Sequence, residues 1–233
     1  KISIKTKMNL SNREELSIAY TPGVAEVSKV IAKNKNLAYQ YTNKGNLVAI
    51  ITDGSAVLGL GNIGPEAAIP VMEGKAAIFK EFADIDSFPL SLGTQDTEEI
   101  INIIKILAPN FAAINLEDIS APRCFEIERR LIEELDIPVF HDDQHGTAIV
   151  LLAALINASK LAKKDIKKLK VVVSGAGAAG LAISKLLYKY GIRDILVLDS
   201  KGIISKDRKD LNIYKREILL ANIRNIKGNL AEA

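Results

Sequence analysis

Acidic side chains follow three apolar segments that the sequence predicts to be β-strands. In chain order they are Asp53 after 47–52, Glu117 and Asp118 after 111–116, and Asp142 and Asp143 after 138–140. Ligand sites in open α/β sheets lie beyond the carboxyl ends of the strands, so we expect these acids to converge if the strands are parallel neighbours. Clustered carboxylates repel each other unless a cation or protons intervene. Oxygen ligands that leave room for water and substrate favour Mg²⁺ or Mn²⁺.

Two histidines flank the last pair of aspartates and raise zinc as an alternative. His141 and His145 lie close to Asp143 in the sequence, but no cysteine is near and carboxylates outnumber imidazoles, which argues against zinc. Asp53 taken alone is better explained as a helix cap or a solvated loop residue. The predicted metal ligands are Glu117, Asp118 and Asp143.

A glycine-rich motif of the form G-x-G-x-x-G lies in the last third of the chain. Its members are Gly175, Ala176, Gly177, Ala178, Ala179 and Gly180. It follows a predicted strand at 171–173 and begins a predicted helix, which is the context of a dinucleotide-binding turn. The glycines permit a tight turn and bring backbone N–H groups close to a pyrophosphate. A glycine-rich turn without a ligand is the alternative, and the adjoining strand and helix argue against it.

Asp199 ends the next predicted strand, 19 residues after Gly180. An acid at this position accepts hydrogen bonds from the ribose hydroxyls of NAD. Because its charge would repel the extra phosphate of NADP, NAD is the predicted cofactor. Lys201 is close in the sequence and could accept that phosphate, so NADP stays open as an alternative.

A lysine shares a stripe with apolar side chains on the helix predicted over 66–83. The apolar members, at helical spacing, are Ala68, Met72, Phe79 and Phe82. Lys75 falls on the same stripe, where a lysine either extends its amine to water or carries a partly desolvated amine that can act as a base. Gly74 beside it would permit close approach by a substrate or by another backbone.

Tyr20 precedes Thr21-Pro22-Gly23, a turn-forming stretch that begins a predicted helix. A buried tyrosine that only packs is the simpler interpretation of this residue taken alone. A phenol also donates a proton in a reactive site, so Tyr20 is a candidate general acid.

The composition argues against several classes of protein. The chain has 233 residues, 48% of them hydrophobic and 25% charged, which is the balance of a globular protein with a core. Its net charge is only +3 and its lysines are scattered, so nucleic-acid binding is not expected. Cys124 is the only cysteine, so no internal disulfide can form. The sequence has no run of about 18 apolar residues, so no membrane span is expected. The amino-terminal segment lacks the apolar core of a signal peptide.

Predicted strands and helices alternate along most of the chain, which indicates an α/β fold with two domains. A short helix is expected to begin at a capping box over 11–14, and a second to run from 22 to 33. Further helices are expected over 66–83, 98–107, 123–135, 146–163 and 213–222, and one more is expected to end at 190. Strands are expected over 47–51, 88–90, 111–116, 138–140, 171–173 and 195–198. The expected domains are a catalytic and metal-binding α/β domain over 1–147 and a Rossmann-type dinucleotide-binding domain over 148–233.

The second of these domains is incomplete by its pattern. It has two strands and two helices from Lys170 onward, whereas a complete Rossmann fold has six strands. The chain also begins without a methionine, and residues 230–233 resemble the start of another helix. We therefore expect the chain to be part of a longer protein.

Taken together, these motifs resemble those of the malic enzymes, especially the shorter bacterial type. The matching segments are 19–25 (AYTPGVA), 52–64 (TDGSAVLGLGNIG), 72–76 (MEGKA), 115–119 (NLEDI), 140–148 (FHDDQHGTA) and the glycine motif. They occur in the family's order and cover nearly the whole chain. The combination is far more specific than any single segment.

The resemblance implies a function and a role for each matching residue. The enzyme would oxidise and decarboxylate malate to pyruvate and CO₂ with reduction of NAD. Tyr20 would be the proton donor and Lys75 the general base. The implied ligands of Mg²⁺ or Mn²⁺ are Glu117, Asp118 and Asp143, and residues 176–179 would bind the dinucleotide. A cytoplasmic homodimer is also implied.

Two departures from the family leave other functions open. Larger malic enzymes carry an arginine near Ser55-Ala56 that holds a malate carboxylate, and this chain has none there, as in the bacterial type. Family members also place substrate-binding asparagines after the point where this chain ends. The alternatives are a metal-dependent oxaloacetate decarboxylase that does not use the nucleotide, and a truncated, inactive fragment.

Overall fold

A computed structural model describes residues 1–233 and has an α/β fold. The α-helices are α1 (Arg13–Ala19), α2 (Val24–Lys33), α3 (Ala38–Tyr41), α4 (Pro65–Ala83), α5 (Thr97–Leu107), α6 (Arg123–Glu134), α7 (Thr147–Leu161), α8 (Ala178–Tyr190) and α9 (Ile213–Arg216). The strands are β1 (Leu47–Thr52), β2 (Asp86–Ser91), β3 (Ala113–Leu116), β4 (Val139–His141), β5 (Lys170–Ser174), β6 (Asp194–Asp199) and β7 (Gly202–Ile203). A π-helical turn over Asp142–Gly146 joins β4 to α7.

The strands form two sheets. One has four strands in the order β2-β1-β3-β4, and the other has three in the order β5-β6-β7. β1 runs parallel to β2 and β5 runs parallel to β6, whereas β7 is antiparallel to β6. The apolar run of β1 is buried from Val48 to Thr52, as expected for a strand covered on both faces. β7 was not predicted, because two residues are too few to show a pattern.

The chain divides into two compact units that interleave in sequence. The first comprises residues 1–115 and 134–139, and the second comprises 116–133 and 140–233. The predicted domains meet between residues 147 and 148 instead, and that boundary stays a prediction. No helix of either unit is long and apolar enough to cross a membrane.

Helix α4 buries a row of side chains spaced four residues apart. Ala68, Met72 and Ala76 are buried, and Ile50 of β1 forms a core cluster with Met72 and Ala76. The predicted burial of Ala68 and Met72 is therefore confirmed. Phe82 is 83% exposed, so its predicted place in the core is wrong. It lies about 120° around the helix from Ala76, which turns it away from the buried row.

The start of α1 differs by one residue from the predicted capping box. Asn12, rather than Ser11, is the N-cap, and its Oδ1 accepts a 2.9 Å hydrogen bond from the Glu15 N–H. The Glu15 carboxylate in turn accepts a 2.7 Å bond from the Ser11 N–H. Glu15 thus takes the place predicted for Glu14, but its carboxylate binds the N–H of the residue before the N-cap, so the pairing is a variant of the capping box.

The carboxyl-terminal region also departs from the sequence prediction. The helix expected over 213–222 is α-helical only in α9 and continues as a 3₁₀-helix over Glu217–Ala221. Residues 230–233 lie in turns rather than at the start of a helix. Buried Leu196, Leu198 and Ile203 form the cluster against which Ile226 packs.

Candidate active site

Three carboxylates of the second unit come together in one group. Glu117 and Asp118 follow β3, and Asp143 lies in the π-helical turn that follows β4. One potential ligand atom from each residue lies within 4.8 Å of the other two. Glu117 and Asp118 are buried, whereas Asp143 is half-buried. The donors are all oxygens, which is the set that Mg²⁺ and Mn²⁺ accept.

The backbone at Asp118 contributes to this grouping. Asp118 has a φ of 54°, in the left-handed region that aspartate tolerates better than most residues. Its N–H donates a 3.0 Å hydrogen bond to Oδ2 of Asp143. The bond holds the two residues together although like charges repel at such separations, and a bound cation would relieve that repulsion.

Asp53 also follows its strand, but its carboxylate stabilises its own loop. The side chain is fully buried, and Oδ1 accepts bonds from the Ser55 N–H at 3.0 Å and the Ser55 hydroxyl at 2.5 Å. The group of potential ligands does not include Asp53. The geometry therefore favours a role for Asp53 in stabilising its loop. A solvated loop residue was expected from the sequence, whereas the side chain is buried.

A buried glutamate that the sequence did not single out contacts the π-helical turn. Glu128 on α6 is 5% exposed. Its carboxylate accepts hydrogen bonds from the His141 N–H at 2.9 Å, from Gln144 Nε2 at 3.0 Å and from His145 Nε2 at 2.9 Å. The sequence carried a signal for its burial, because Glu128 lies four residues after Cys124 on the apolar face of an amphipathic helix.

The two histidines have different surroundings. His141 is fully buried, and neither of its ring nitrogens has a hydrogen-bond partner. Burial lowers the pKa of His141, although the carboxylates of Asp143 and Glu128 act in the opposite direction. The hydrogen bond to Glu128 raises the pKa of His145. Neither imidazole belongs to the carboxylate group, so a zinc ion there would have no nitrogen ligand from this group.

The two candidate proton-transfer residues lie in the first unit. Lys75 is half-buried on α4, next to the buried Ala76. Tyr20 caps the end of α1 and is 69% exposed, so the interpretation of a buried, packing tyrosine is wrong. A Cβ on Gly74 would meet only Lys1 Nζ, at 3.8 Å. No other backbone therefore approaches Gly74 closely.

The glycine motif forms the turn between β5 and α8. Gly175 has a φ of 124°, which favours glycine, and its N–H donates a 2.9 Å bond to the Leu198 carbonyl. A Cβ on Gly180 would lie 1.8 Å from the Gly175 carbonyl oxygen, so no larger residue fits there without a shift. A Cβ on Gly177 would meet nothing within 4 Å. Open space thus adjoins the amino terminus of α8, where free N–H groups attract an anion.

Asp199 ends β6, as expected, and its carboxylate is paired within the protein. Arg208 binds both oxygens, with Nη1 2.7 Å from Oδ1 and Nη2 3.0 Å from Oδ2. Lys215 Nζ lies 2.6 Å from Oδ2, and the Lys201 N–H donates to Oδ1 at 2.9 Å. Burial raises the pKa of the Asp199 carboxyl, but the hydrogen bonds from Arg208 and Lys215 outweigh it and hold the pKa far below its ordinary value. Sequence pattern did not identify these two cations, because the fold of the following loop brings them to Asp199.

Two models of known protein families match the chain in succession. Residues 1–132 match the malic enzyme N-terminal domain, and residues 144–229 match the malic enzyme NAD binding domain. The first matched range contains Tyr20, Lys75, Glu117 and Asp118. The second contains the glycine turn and Asp199.

Individual relatives cover the chain almost completely. The NAD-dependent malic enzyme of Geobacillus stearothermophilus is 57% identical over 100% of this chain and 49% of its own length. The bifunctional malic/malolactic enzyme of Bacillus subtilis (strain 168) is 57% identical over 94% of this chain and 53% of its own. The crystal structure of an NAD-dependent malic enzyme from Thermotoga maritima matches with a TM-score of 0.95 and 51% identity, over 99% of this chain and 62% of that one. The chain thus spans about half the length of these two curated relatives.

Proposed function

The chain belongs to the malic enzyme family, since two of that family's domain models match most of its length, and we propose on this premise that the full-length protein oxidises and decarboxylates malate to pyruvate and CO₂ while reducing NAD. The observation that carries the proposal is the group of three carboxylates, whose ligand atoms lie within 4.8 Å of one another. The glycine turn between β5 and α8 supports the dinucleotide part of the reaction.

Glu117, Asp118 and Asp143 are the residues we propose to hold Mg²⁺ or Mn²⁺. Their oxygen-only donor set fits a hard cation, and the partial burial of the group makes uncompensated negative charge costly. When bound, the metal ion supplies Lewis-acid chemistry at the substrate oxygens, and the dinucleotide accepts a hydride from the substrate.

Lys75 and Tyr20 provide the proton transfers of the proposed reaction. The Lys75 amine accepts the proton of the malate 2-hydroxyl as C2 is oxidised, which yields oxaloacetate. The bond between C3 and C4 then breaks and releases CO₂. The Tyr20 phenol donates its proton to C3, and pyruvate results. The half-buried position of Lys75 and the exposed phenol of Tyr20 support these roles.

We propose NAD as the preferred cofactor, because an ionised acid ends β6 at the position that accepts ribose hydroxyls. NADP remains the second candidate, because Arg208 and Lys215 offset the charge of Asp199 and so reduce its repulsion of a phosphate. Titrating the full-length protein separately with NADH and NADPH, and following the fluorescence of each, decides the matter. Binding of NADPH that is as tight as binding of NADH would overturn the preference.

The reaction itself is tested by supplying malate, NAD and Mn²⁺ to the full-length protein. We expect NADH and pyruvate to form in equal amounts, and neither to form when Mn²⁺ is removed with a chelator. Release of pyruvate from oxaloacetate without any reduction of NAD by malate would favour the decarboxylase instead. No turnover of either substrate by the full-length protein would overturn both the malic enzyme reaction and the decarboxylase alternative.

A homodimer is the proposed assembly. Helices α1, α2 and α3 contain no buried residue, and α1 exposes Leu16 and Ile18. An apolar surface of this kind suits contact with a second copy. Light scattering should give twice the monomer mass, and the Leu16→Glu variant should give the monomer mass.

Cytoplasmic location is proposed from the family resemblance alone, and cell fractionation tests it.

A further inference from the structure

Glu128 is a buried acid whose partners lie in one short segment. The residue is 5% exposed on the apolar face of α6, between buried Ile127 and Leu131. A carboxylate in such a place is costly unless several donors satisfy it. Cysteine, phenylalanine, isoleucine and leucine side chains make up the rest of the buried face, so these donors come from elsewhere in the second unit.

Three hydrogen-bond donors to the Glu128 carboxylate belong to residues 141–145. His141 donates its backbone N–H to Oε1, and Gln144 and His145 direct their side-chain Nε2 atoms to Oε2. A carboxylate oxygen has no proton to give, so Nε2 of His145 carries the hydrogen. The three bonds reach the chain before and after Asp143, and so they hold the π-helical turn from both sides.

We propose that Glu128 is a positioning residue for the metal ligand Asp143, an inference that rests on the proposed function. Asp143 is held directly by the Asp118 N–H, 3.0 Å from Oδ2. Glu128 fixes the backbone and the neighbouring side chains of the same turn. The turn thereby presents Asp143 to Glu117 and Asp118 before any metal ion arrives.

A role limited to folding is the competing explanation, and metal affinity separates the two. Groups that only orient metal ligands typically change affinity about 10–100-fold when altered. Glu128→Gln keeps the shape but places an amide N–H₂ against at least one of the three donors. We expect this variant to bind Mn²⁺ at least ~10-fold more weakly than wild type.

The experiment is an electron paramagnetic resonance titration of free Mn²⁺ with the full-length protein, accompanied by thermal melting. Glu133→Gln is the matched control, because Glu133 lies on the same helix and forms an exposed pair with Arg129. Gln144→Leu is the second variant, and it should weaken Mn²⁺ binding while leaving Glu128 two donors. If Glu128→Gln fails to fold, Gln144→Leu alone decides.

The outcomes separate the inference from the function on which it rests. Wild-type protein that binds no Mn²⁺ would overturn the proposed function and the inference together. Wild-type protein that binds Mn²⁺, with variants that bind equally well, would overturn the inference alone. Weaker binding by Glu128→Gln or Gln144→Leu, with Glu133→Gln unchanged and a native melting curve, would support it.

Discussion

The backbone N–H of Asp118 lies 3.0 Å from Oδ2 of Asp143, although 25 residues separate the two in sequence. Asp118 reaches this position through a left-handed backbone conformation directly after β3. The bond commits one side of the Asp143 carboxylate to the protein. The other oxygen is then the one that we propose to bind the cation together with Glu117 and Asp118.

Replacement of Asp143 by asparagine should therefore weaken Mn²⁺ binding strongly. The amide removes a negative charge from the group, and losing groups that merely support ligands already costs about 10–100-fold in affinity. We expect the dissociation constant for Mn²⁺ to rise by at least ~10-fold, as measured by the same resonance titration. Asp136→Asn, at an exposed position, is the control and should bind as wild type does. Unchanged affinity in Asp143→Asn would remove this residue from the metal site.

Lys75→Ala should abolish most of the turnover without unfolding the protein. General acid–base groups commonly contribute ~10²–10⁴-fold, so we expect kcat for malate oxidation to fall at least ~100-fold. Lys80→Ala on the same helix is the control, because Lys80 is exposed and pairs with the exposed Asp84 and the half-buried Asp86. A Lys75→Ala enzyme with near-wild-type kcat would disprove the role of base.

Tyr20→Phe removes only a hydroxyl, so the phenol can be tested by itself. Since the ring of Tyr20 is exposed, the fold loses little packing. We expect kcat for pyruvate formation to fall at least ~100-fold. Tyr41→Phe, at another exposed tyrosine, should retain wild-type kcat. Equal rates in the two variants would mean that Tyr20 donates no proton in a rate-limiting step.

The elements were largely predictable because their patterns are local. Burial of β1 could be predicted from its continuous apolar run. Burial of Ala68 and Met72 on α4 could be predicted from their spacing of four residues. Phe82 was mistaken because period-three and period-four rows diverge along a helix, and only packing shows which row is covered. One-residue shifts at caps, such as Asn12 for Ser11, lie below what sequence pattern resolves.

The candidate site was predictable where strand ends carry its residues. Grouping Glu117 and Asp118 with Asp143 needs only the rule that neighbouring strands end at one edge. The rule does not identify Glu128 or Arg208, because neither follows the end of a strand. Glu128 contacts its partners from a helix and Arg208 contacts Asp199 from a loop. Long-range hydrogen bonds of this kind depend on tertiary packing, which no local spacing encodes.

Two glycines of the motif should respond differently to the same substitution. Gly180→Ala places a Cβ 1.8 Å from the Gly175 carbonyl oxygen, so we expect Tm to fall by at least about 3 °C, or roughly 1 kcal/mol. The Cβ that Gly177→Ala adds would meet no atom within 4 Å, so Tm should stay at the wild-type value. Its methyl group nevertheless enters the space proposed for pyrophosphate, and NADH should bind at least about tenfold more weakly. Tight NADH binding by Gly177→Ala would place the dinucleotide elsewhere.

Asp199→Asn should destabilise the protein at neutral pH and progressively less in acid. Hydrogen bonds to charged groups contribute about 1.5–3 kcal/mol, and Arg208 and Lys215 both donate to this carboxylate. Because its folded pKa is depressed, the stabilisation is fully present above the unfolded value of about 3.9 and is lost as pH falls towards the folded pKa. Melting curves of wild type and variant, without cofactor, should therefore show the full difference at pH 7 and begin to converge only below about pH 4. Asp84→Asn, at an exposed pair with Lys80, is the control and should shift Tm little at any pH. A gap between Asp199→Asn and wild type that stays constant into acid would show that the lost stability does not come from the ionised carboxylate.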